Sequence, residues 1–488
     1  MATSRGYLGR THEDQQPLVQ GEPSGPKIIT SAIPGPKTKA GLERLDKLQD
    51  TRAAFIMTGS NDMSDGNQEP RRKGKECLSI LVMYLDMFCQ IASLPLGYNS
   101  KALIDAASSP EMIQMLVNRP ALGIVPHGTW AKTLEHSLMR AAPKGLTQVF
   151  TAMCGTCSNE TAYKAAFMYY QKQKRGGNEI TSEDLSTCMR NEGPGSPDLA
   201  VMSFDGGFHG RLFGSLSTTY TKPLHKLDIP AFSNWVSSPF PALRYPLEKH
   251  QVENDKEEER CLAIAEEKMK NAKSPIVALI VEPIQSEGGD NHASPRFFQG
   301  LRDLTKKYGI IMIVDEVQTG VGPTGHFWAH EAWNLTSPPD IVTFSKKFQT
   351  AGWFHGPELR ADAPYRNFNT WLGDPVRVLQ AKTILEEIES KDLVKNAAET
   401  GAYLKKELHV IENTYPKVIS AVRGLGTFLA FDLPNPQERD VFVARLRLAG
   451  VNTGGCGPKS IRFRPMLVFQ KRHADILLDA VERVASQH

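Results

Sequence analysis

The sequence predicts an α/β protein: a large domain with a mostly parallel, doubly wound sheet, plus a smaller α+β domain. Three observations carry that expectation. Between residues 100 and 375, short apolar runs alternate with helical stretches, as strands buried on both faces do when crossover helices join them. Two of these runs stop abruptly at a charged residue, GIIMIVDE at Asp315 and PDIVTFSKK at Lys346. After 375 the alternation gives way to a long helical stretch and two strand-like segments.

In chain order, residues 1–40 are rich in Pro, Gly and polar side chains, which predicts an extended arm over the surface or over a partner subunit. LAVMSF at 199–204, SPIVALIVEPI at 274–284, IIMIVDE and DIVTFS read as strands. TAYKAAFMYYQKQKR at 161–175 and PRFFQGLRDLTKKYG at 295–309 read as helices. SEDLSTCMRNEGPGSPD at 182–198 reads as a polar loop, and ENDKEEER at 253–260 as the solvated start of a helix. PVRVLQAKTILEEIE then forms a helix, and GLGTFLAFDL and SIRFRPMLVF form strands of the smaller domain. The expected boundaries are 1–100 for the arm and part of a small domain, 101–375 for the large domain, and 376–488 for the C-terminal small domain. No internal repeat is present.

Bulk properties exclude several classes. With 488 residues, 40% hydrophobic and 23% charged, the chain can bury a large core. A net charge of +3 is too small to imply a nucleic-acid or acidic-membrane partner, and no apolar run reaches the roughly 18–20 residues of a membrane span. The N-terminal stretch has no apolar core for secretion, and Arg5 and Arg10 are soon followed by Glu13 and Asp14, which mitochondrial presequences avoid. Cytoplasm is the expected compartment and the mitochondrion the alternative. Seven scattered cysteines argue against a disulfide framework.

Five segments carry chemistry. In MCGTCSNETAYKAAF, residues 153–167, a Gly-containing turn leads into a helix; its free N–H groups and the positive end of the macrodipole suit a phosphate, or the turn is an ordinary cap. Cys154 and Cys157 within it are a pair of small buried thiols, or two of the ligands of a metal site shared across a two-fold axis. A redox dithiol is disfavoured, because the motif lacks a thioredoxin-like setting. In SFDGGFHGRLFGSLS, residues 203–217, Phe208 or His209 either lies against a planar cofactor or simply packs, and Arg211 can take a carboxylate bidentately. Gly207 and Gly210 permit close backbone approach there.

In VEPIQSEGG, Glu282 and Glu287 follow a strand where active-site loops emerge, unless they are merely solvated. Lys346 and Lys347 end a buried strand, where a desolvated amine gains nucleophilicity. In SIRFRP, Arg462 and Arg464 alternate on one strand face and either bridge carboxylates or meet solvent. Asp315 and Lys346 fall at the carboxyl ends of two parallel strands, where open α/β sheets place ligands. An acid and an amine in one crevice suit pyridoxal phosphate: the amine bonds to the cofactor and the acid keeps its pyridine nitrogen protonated.

Taken together, CGTCSNE, FHGR, VEPIQSEGGDNHAS, DEVQTGVGPTG, FSKK, FNTWLGD and GCGPKSIRFRP resemble the class III, fold-type I pyridoxal-phosphate aminotransferases, in blocks from YLDMFCQIAS to the C-terminus. The resemblance is to the eukaryotic branch acting on ω-amino acids such as 4-aminobutyrate, with 2-oxoglutarate as acceptor. It implies that Lys346 bonds to pyridoxal 5'-phosphate and that Asp315 partners the pyridine nitrogen. Gly155 and Thr156 would bind the phosphate, joined by Thr370 from the neighbouring subunit of a homodimer. Phe208 would stack on the ring beside His209, with Val317 and Gln318 on its other side. Arg211 would grip the distal carboxylate, with Ile91 flanking it. Glu287 would pair with Arg462 and release it for the keto acid, with Glu282 in support. Cys154 and Cys157 match positions that hold a [2Fe–2S] cluster between subunits in animal members. Upstream of YLDMF the chain departs from the family's strand–turn–strand, reading FIMTGSNDMSDGNQEPRRKGKECLSILVM. Other expectations kept open are another ω-amino acid or diamine as donor, and a catalytically silent homologue.

Overall fold

Seven short segments pair into one sheet in the computed structural model, which describes residues 84–176 and 179–487, with residues 16–19, 25–26, 39, 42–43 and 45–49 ahead of them. Most of the expected N-terminal arm and the atypical 55–83 stretch lie outside the described residues. The chain divides into two units, residues 106–386 and residues 1–105 with 387–488.

The larger unit holds the seven strands: β1 (Gln148–Ala152), β2 (Ala200–Phe204), β3 (Val236–Ser238), β4 (Ile276–Val281), β5 (Ile311–Asp315), β6 (Ile341–Phe344) and β7 (Ala351–His355). Their order is β1-β7-β6-β5-β4-β2-β3. Neighbours from β6 to β3 run parallel, and β7 is antiparallel to both of its partners. Every residue of β2, β4, β5 and β6 is buried, which is why these runs are apolar throughout instead of alternating.

Helices cover the sheet: α1 (Gly155–Arg175), α2 (Gln251–Asn271) and α3 (Pro295–Tyr308). Ser294 caps α3 by accepting from Phe297 N–H, Pro295 opens it, and Gly309 at φ +66° ends it. Phe297, Phe298 and Leu301 bury its apolar stripe. Arg302 on the same helix is bidentate to Asp340 at 2.7 and 2.9 Å, and Asp340 also accepts from Met312 N–H at 2.8 Å. Burial pushes the Asp340 carboxyl up, but Arg302 holds it below its ordinary value. One ion pair therefore fixes α3 to the strand behind the site.

Two segments differ from the sequence expectation. Ser182–Cys188 of the expected loop is a helical turn closed by a capping box between Thr181 and Asp184. In 253–260, Glu258 is buried and accepts from Ser294 N–H at 2.6 Å, so one carboxylate of the charged run ties α2 to the start of α3.

α4 (Pro375–Ser390) carries the chain out of the larger unit. The smaller unit contains α5 (Leu393–Thr414), β8 (Ser420–Leu425), β9 (Phe428–Asp432), α6 (Pro436–Leu448), β10 (Gly454–Cys456), β11 (Ser460–Phe463) and α7 (Lys471–Ala485). Its sheet is antiparallel in the order β10-β11-β9-β8. Leu404, Leu408, Phe431, Phe442, Phe463, Leu477 and Val481 meet in its core. Near the N-terminus, the Gln470 side chain donates to Gln16 O and accepts from Leu18 N–H.

Candidate active site

Within the larger unit, the expected residues other than Thr370 lie at the carboxyl end of a strand or in the segment that follows it. Asp315 is the last residue of β5 and is 4% exposed. Its Oδ2 accepts from His209 Nδ1 at 2.8 Å and from Asn159 Nδ2 at 2.9 Å, and its Oδ1 accepts from Val317 N–H at 3.0 Å. A carboxylate oxygen accepts, so His209 Nδ1 is the donor in this pair. Asn159 gives its other N–H to His209 O at 2.8 Å, and His209 N–H bonds Thr219 Oγ1 at 2.9 Å. The orientation of the carboxylate is thus fixed from two elements.

β5 and β6 pair with Asp315 opposite Thr343, and Lys346 follows just beyond the end of β6. It is half-buried and has φ +44°, a left-handed conformation that costs a non-glycine residue on the order of 1 kcal/mol. Lys347 is only 1% exposed. Of the two adjacent lysines, Lys346 is the accessible one.

The start of α1 reaches the same edge. Ser158 Oγ donates to Phe344 O at 3.4 Å, and a Cβ on Gly155 would stand 2.7 and 2.9 Å from the Val317 methyl carbons. Cys154 is the extended N-cap and its side chain makes no capping bond. A Cβ on Gly210, at φ +128°, would stand 2.5 Å from Thr156 Oγ1, so the loop after β2 also closes on this helix start.

Glu282 locks that loop from the other side. It is buried after β4, and its Oε2 accepts from Phe208 N–H at 3.0 Å. Burial, and then the charge of Asp315, raises its carboxyl well above the usual range. Gln285 adds a bond to Asp205 O at 2.9 Å. Phe208 is half-buried and Arg211 exposed, with the guanidinium carbon 5.8 Å from the Phe208 ring centre. Glu287 and Val317 are half-buried, and Gln318 is buried.

Cys154 and Cys157 lie with their sulfurs 3.5 Å apart. They are exposed and half-buried, not two buried thiols. The Cys157 S–H, with first-turn N–H groups of α1, lowers the Cys154 thiol to about 6, and its proximity pushes Cys157 up. Among the described residues no three His, Cys, Asp or Glu side chains gather to hold a metal. Thr370 is exposed; bonds from Asn367 to Thr161 O and from Thr151 to Leu372 O pin its flanks to α1 and β1.

Two predicted residues belong to the smaller unit. Ile91 is 50% exposed and sits in a left-handed turn, Cys89–Ala92, in which all four residues have positive φ. At about 1–2 kcal/mol per residue such a turn needs strong anchoring. Asp86 provides it, accepting from Phe88 N–H, Cys89 N–H, Asn452 Nδ2 and Tyr98 OH at 2.9–3.1 Å. Arg462 is buried in β11, and its carbonyl accepts from Thr453 Oγ1 at 2.6 Å. Arg464 is also buried, 3.3 Å from the Phe428 ring centre. Neither arginine faces solvent.

Two residues of the site had no sequence assignment to it. Asn159 was legible only as part of a helix start, and its bond to Asp315 spans 156 positions. His225, beside Arg211, had no motif around it.

A lysine and a fixed carboxylate at neighbouring strand ends, beside an uncapped helix start, define a fold-type I pyridoxal-phosphate enzyme. The chain belongs to the class-III aminotransferase family, whose description, Aminotransferase class-III, matches residues 82–485. It is similar to the 4-aminobutyrate aminotransferase of Dictyostelium discoideum, 54% identical over 94% of this chain and 91% of that one. The 4-aminobutyrate aminotransferase of Emericella nidulans is 53% identical over 98% and 94%. The mitochondrial 4-aminobutyrate aminotransferase of Sus scrofa is 45% identical over 94% and 91%. Among solved structures, the lysine aminotransferase of M. tuberculosis superposes with a TM-score of 0.77 at 28% identity, over 92% of this chain and 98% of that one.

Class-III aminotransferases use pyridoxal phosphate. The residues fit it: the start of α1 presents first-turn N–H groups, Gly155 puts no side chain of its own there, and Asp315 is held as a directed acceptor.

Proposed function

We propose that the enzyme transfers the amino group of 4-aminobutyrate to 2-oxoglutarate, giving succinate semialdehyde and glutamate. The observation that carries the reading is the gathering of Asp315, Lys346 and Arg211 in one unit, in a chain 54% identical to a 4-aminobutyrate aminotransferase. The larger unit is the cofactor-binding domain in this reading.

Pyridoxal phosphate, when bound, supplies the carbon that receives the amino group and a ring that accepts the electron pair of the broken C–H bond. Asp315 would keep the ring nitrogen protonated through a charge-assisted hydrogen bond. Gly155 and Thr156 would hold the phosphate at the start of α1, where the helix dipole favours negative charge. Phe208 would cover one face of the ring beside His209, and Val317 and Gln318 would line the other face and the hydroxyl edge. Lys346 Nζ would move the proton of the reaction, as base toward the amine-bearing carbon of the substrate and then as acid. Arg211 takes the distal carboxylate and so fixes which end of the substrate reacts. Glu282 supports the Phe208 backbone beneath this site.

Ile91, Glu287 and Arg462 enter the reading through their motifs: Ile91 flanks the distal carboxylate, and Arg462 takes the keto acid's α-carboxylate once Glu287 releases it. Thr370 joins the phosphate site of a second subunit, which makes the enzyme a homodimer. Cys154 and Cys157 are half of the four ligands a [2Fe–2S] cluster takes, and the same pair in the second subunit completes the set. Cytoplasm is the compartment of this reading; fractionation of the source cells tests it against the mitochondrion, which the Sus scrofa relative's name carries.

The test is coupled turnover of 4-aminobutyrate with 2-oxoglutarate, compared with β-alanine and ornithine as donors. 4-Aminobutyrate is expected to give the highest kcat/KM, and Lys346→Ala to abolish turnover in a protein that still folds. Preference for ornithine, or activity kept by Lys346→Ala, would overturn the assignment.

A further inference from the structure

We propose that His225 is the positioning residue for Arg211 and thereby sharpens the demand for a distal carboxylate; the inference rests on the role given to Arg211 above. His225 closes a single 3-10 turn, Pro223–His225. Its Nε2 lies 3.3 Å from Arg211 Nη2, and its Nδ1 lies 3.4 Å from Thr221 Oγ1. A guanidinium can only donate, so Nε2 is the acceptor and Nδ1 carries the proton toward Thr221. The same ring stands edge-on to Phe208, with centres 6.0 Å apart and planes at 76°. His225, Arg211 and Phe208 thus form a triangle at the mouth of the loop after β2.

The charged groups facing His225 are Arg211, Lys222 and Glu287. Burial and the two cations outweigh Glu287 and hold the imidazole below its ordinary value, so it stays a neutral acceptor at neutral pH. That neutrality is what the role requires. A carboxylate at this position would also orient Arg211, but it would neutralise the guanidinium and compete with the substrate. A neutral imidazole orients it and leaves its charge for the ligand. An exposed arginine otherwise samples many rotamers, and fixing one N–H before the substrate arrives removes part of that ordering cost from binding.

The experiment compares the holoenzyme with His225→Phe, which keeps a ring edge against Phe208 but no acceptor, and with His225→Gln, which restores an acceptor. In His225→Phe, KM for 4-aminobutyrate is expected to rise about ten-fold while kcat changes less than about two-fold, the split that lost preorganisation gives. His225→Gln recovers most of the loss. Butylamine, which has no carboxylate, reacts alike with all three proteins. Calorimetric titration with valerate, a carboxylate that cannot react, shows the same order of affinities. An unchanged KM in His225→Phe, or a Gln variant as impaired as the Phe variant, would overturn the proposal. If the parent enzyme does not turn over 4-aminobutyrate, the functional reading falls instead, and the valerate affinities still decide the role of His225.

Discussion

Asp315 shows how much a single acid depends on its neighbours. Its position at the end of an apolar run was visible in the sequence, as was the pairing with Lys346. Its partners were not: Asn159 and His209 arrive from a helix and a loop more than a hundred positions away. The buried acid beside it gives a pH prediction. Burial, then Asp315, raises the Glu282 carboxyl, so the folded state favours the protonated form. Its contribution to stability is full below the ordinary value of 4.5 and is lost as pH rises toward the higher folded-state value. Glu282→Gln keeps a carbonyl acceptor for Phe208 N–H without a titrating proton. Thermal melts from pH 4.5 upward are expected to show the parent losing Tm relative to Glu282→Gln; parallel curves would remove this account of Glu282.

At the scale of elements, periodicity and length identified the central strands because both faces of β4, β5 and β6 are buried and their residues answer to little else. The antiparallel sense of β7 was not legible, since strand direction is set by the path of the connection and leaves no mark on composition. Charge alone also misled at Glu258, because a buried carboxylate bonded to Ser294 has the same letter as a solvated one. The start of α1 carries a second prediction. A methyl group at Gly155 would press on Val317, and overpacking of that kind costs about 1–3 kcal/mol. Gly155→Ala is therefore expected to weaken pyridoxal phosphate by about ten-fold or more, read by absorbance titration of the apo protein, with a smaller loss in Tm. Unchanged cofactor affinity would show that the cradle is wider than this helix start implies.

For the whole molecule, the proposed homodimer makes a prediction that a self-contained active site would not. Lys346→Ala and Thr370→Ala chains, each impaired alone, are expected to regain activity when mixed and allowed to exchange subunits. The hybrid has one site with Lys346 from one chain and Thr370 from the other, both intact. No recovery would mean that Thr370 serves its own chain. Iron and acid-labile sulfide analysis of the same dimer tests the cluster; an iron-free dimer purified without oxygen would dismiss it.

By itself, the sequence determined the α/β class, the strand ends at which Asp315 and Lys346 emerge, and the family to which the chain belongs. Local apolar length, Gly-bounded turns and contiguous motifs write those features into short windows. Only the tertiary structure decided which groups orient those residues: Asn159 and His209 on Asp315, Glu282 under Phe208, and His225 against Arg211. Those contacts join side chains from separate elements, and a hydrogen bond between distant positions has no periodicity, spacing or composition by which it could be read in advance.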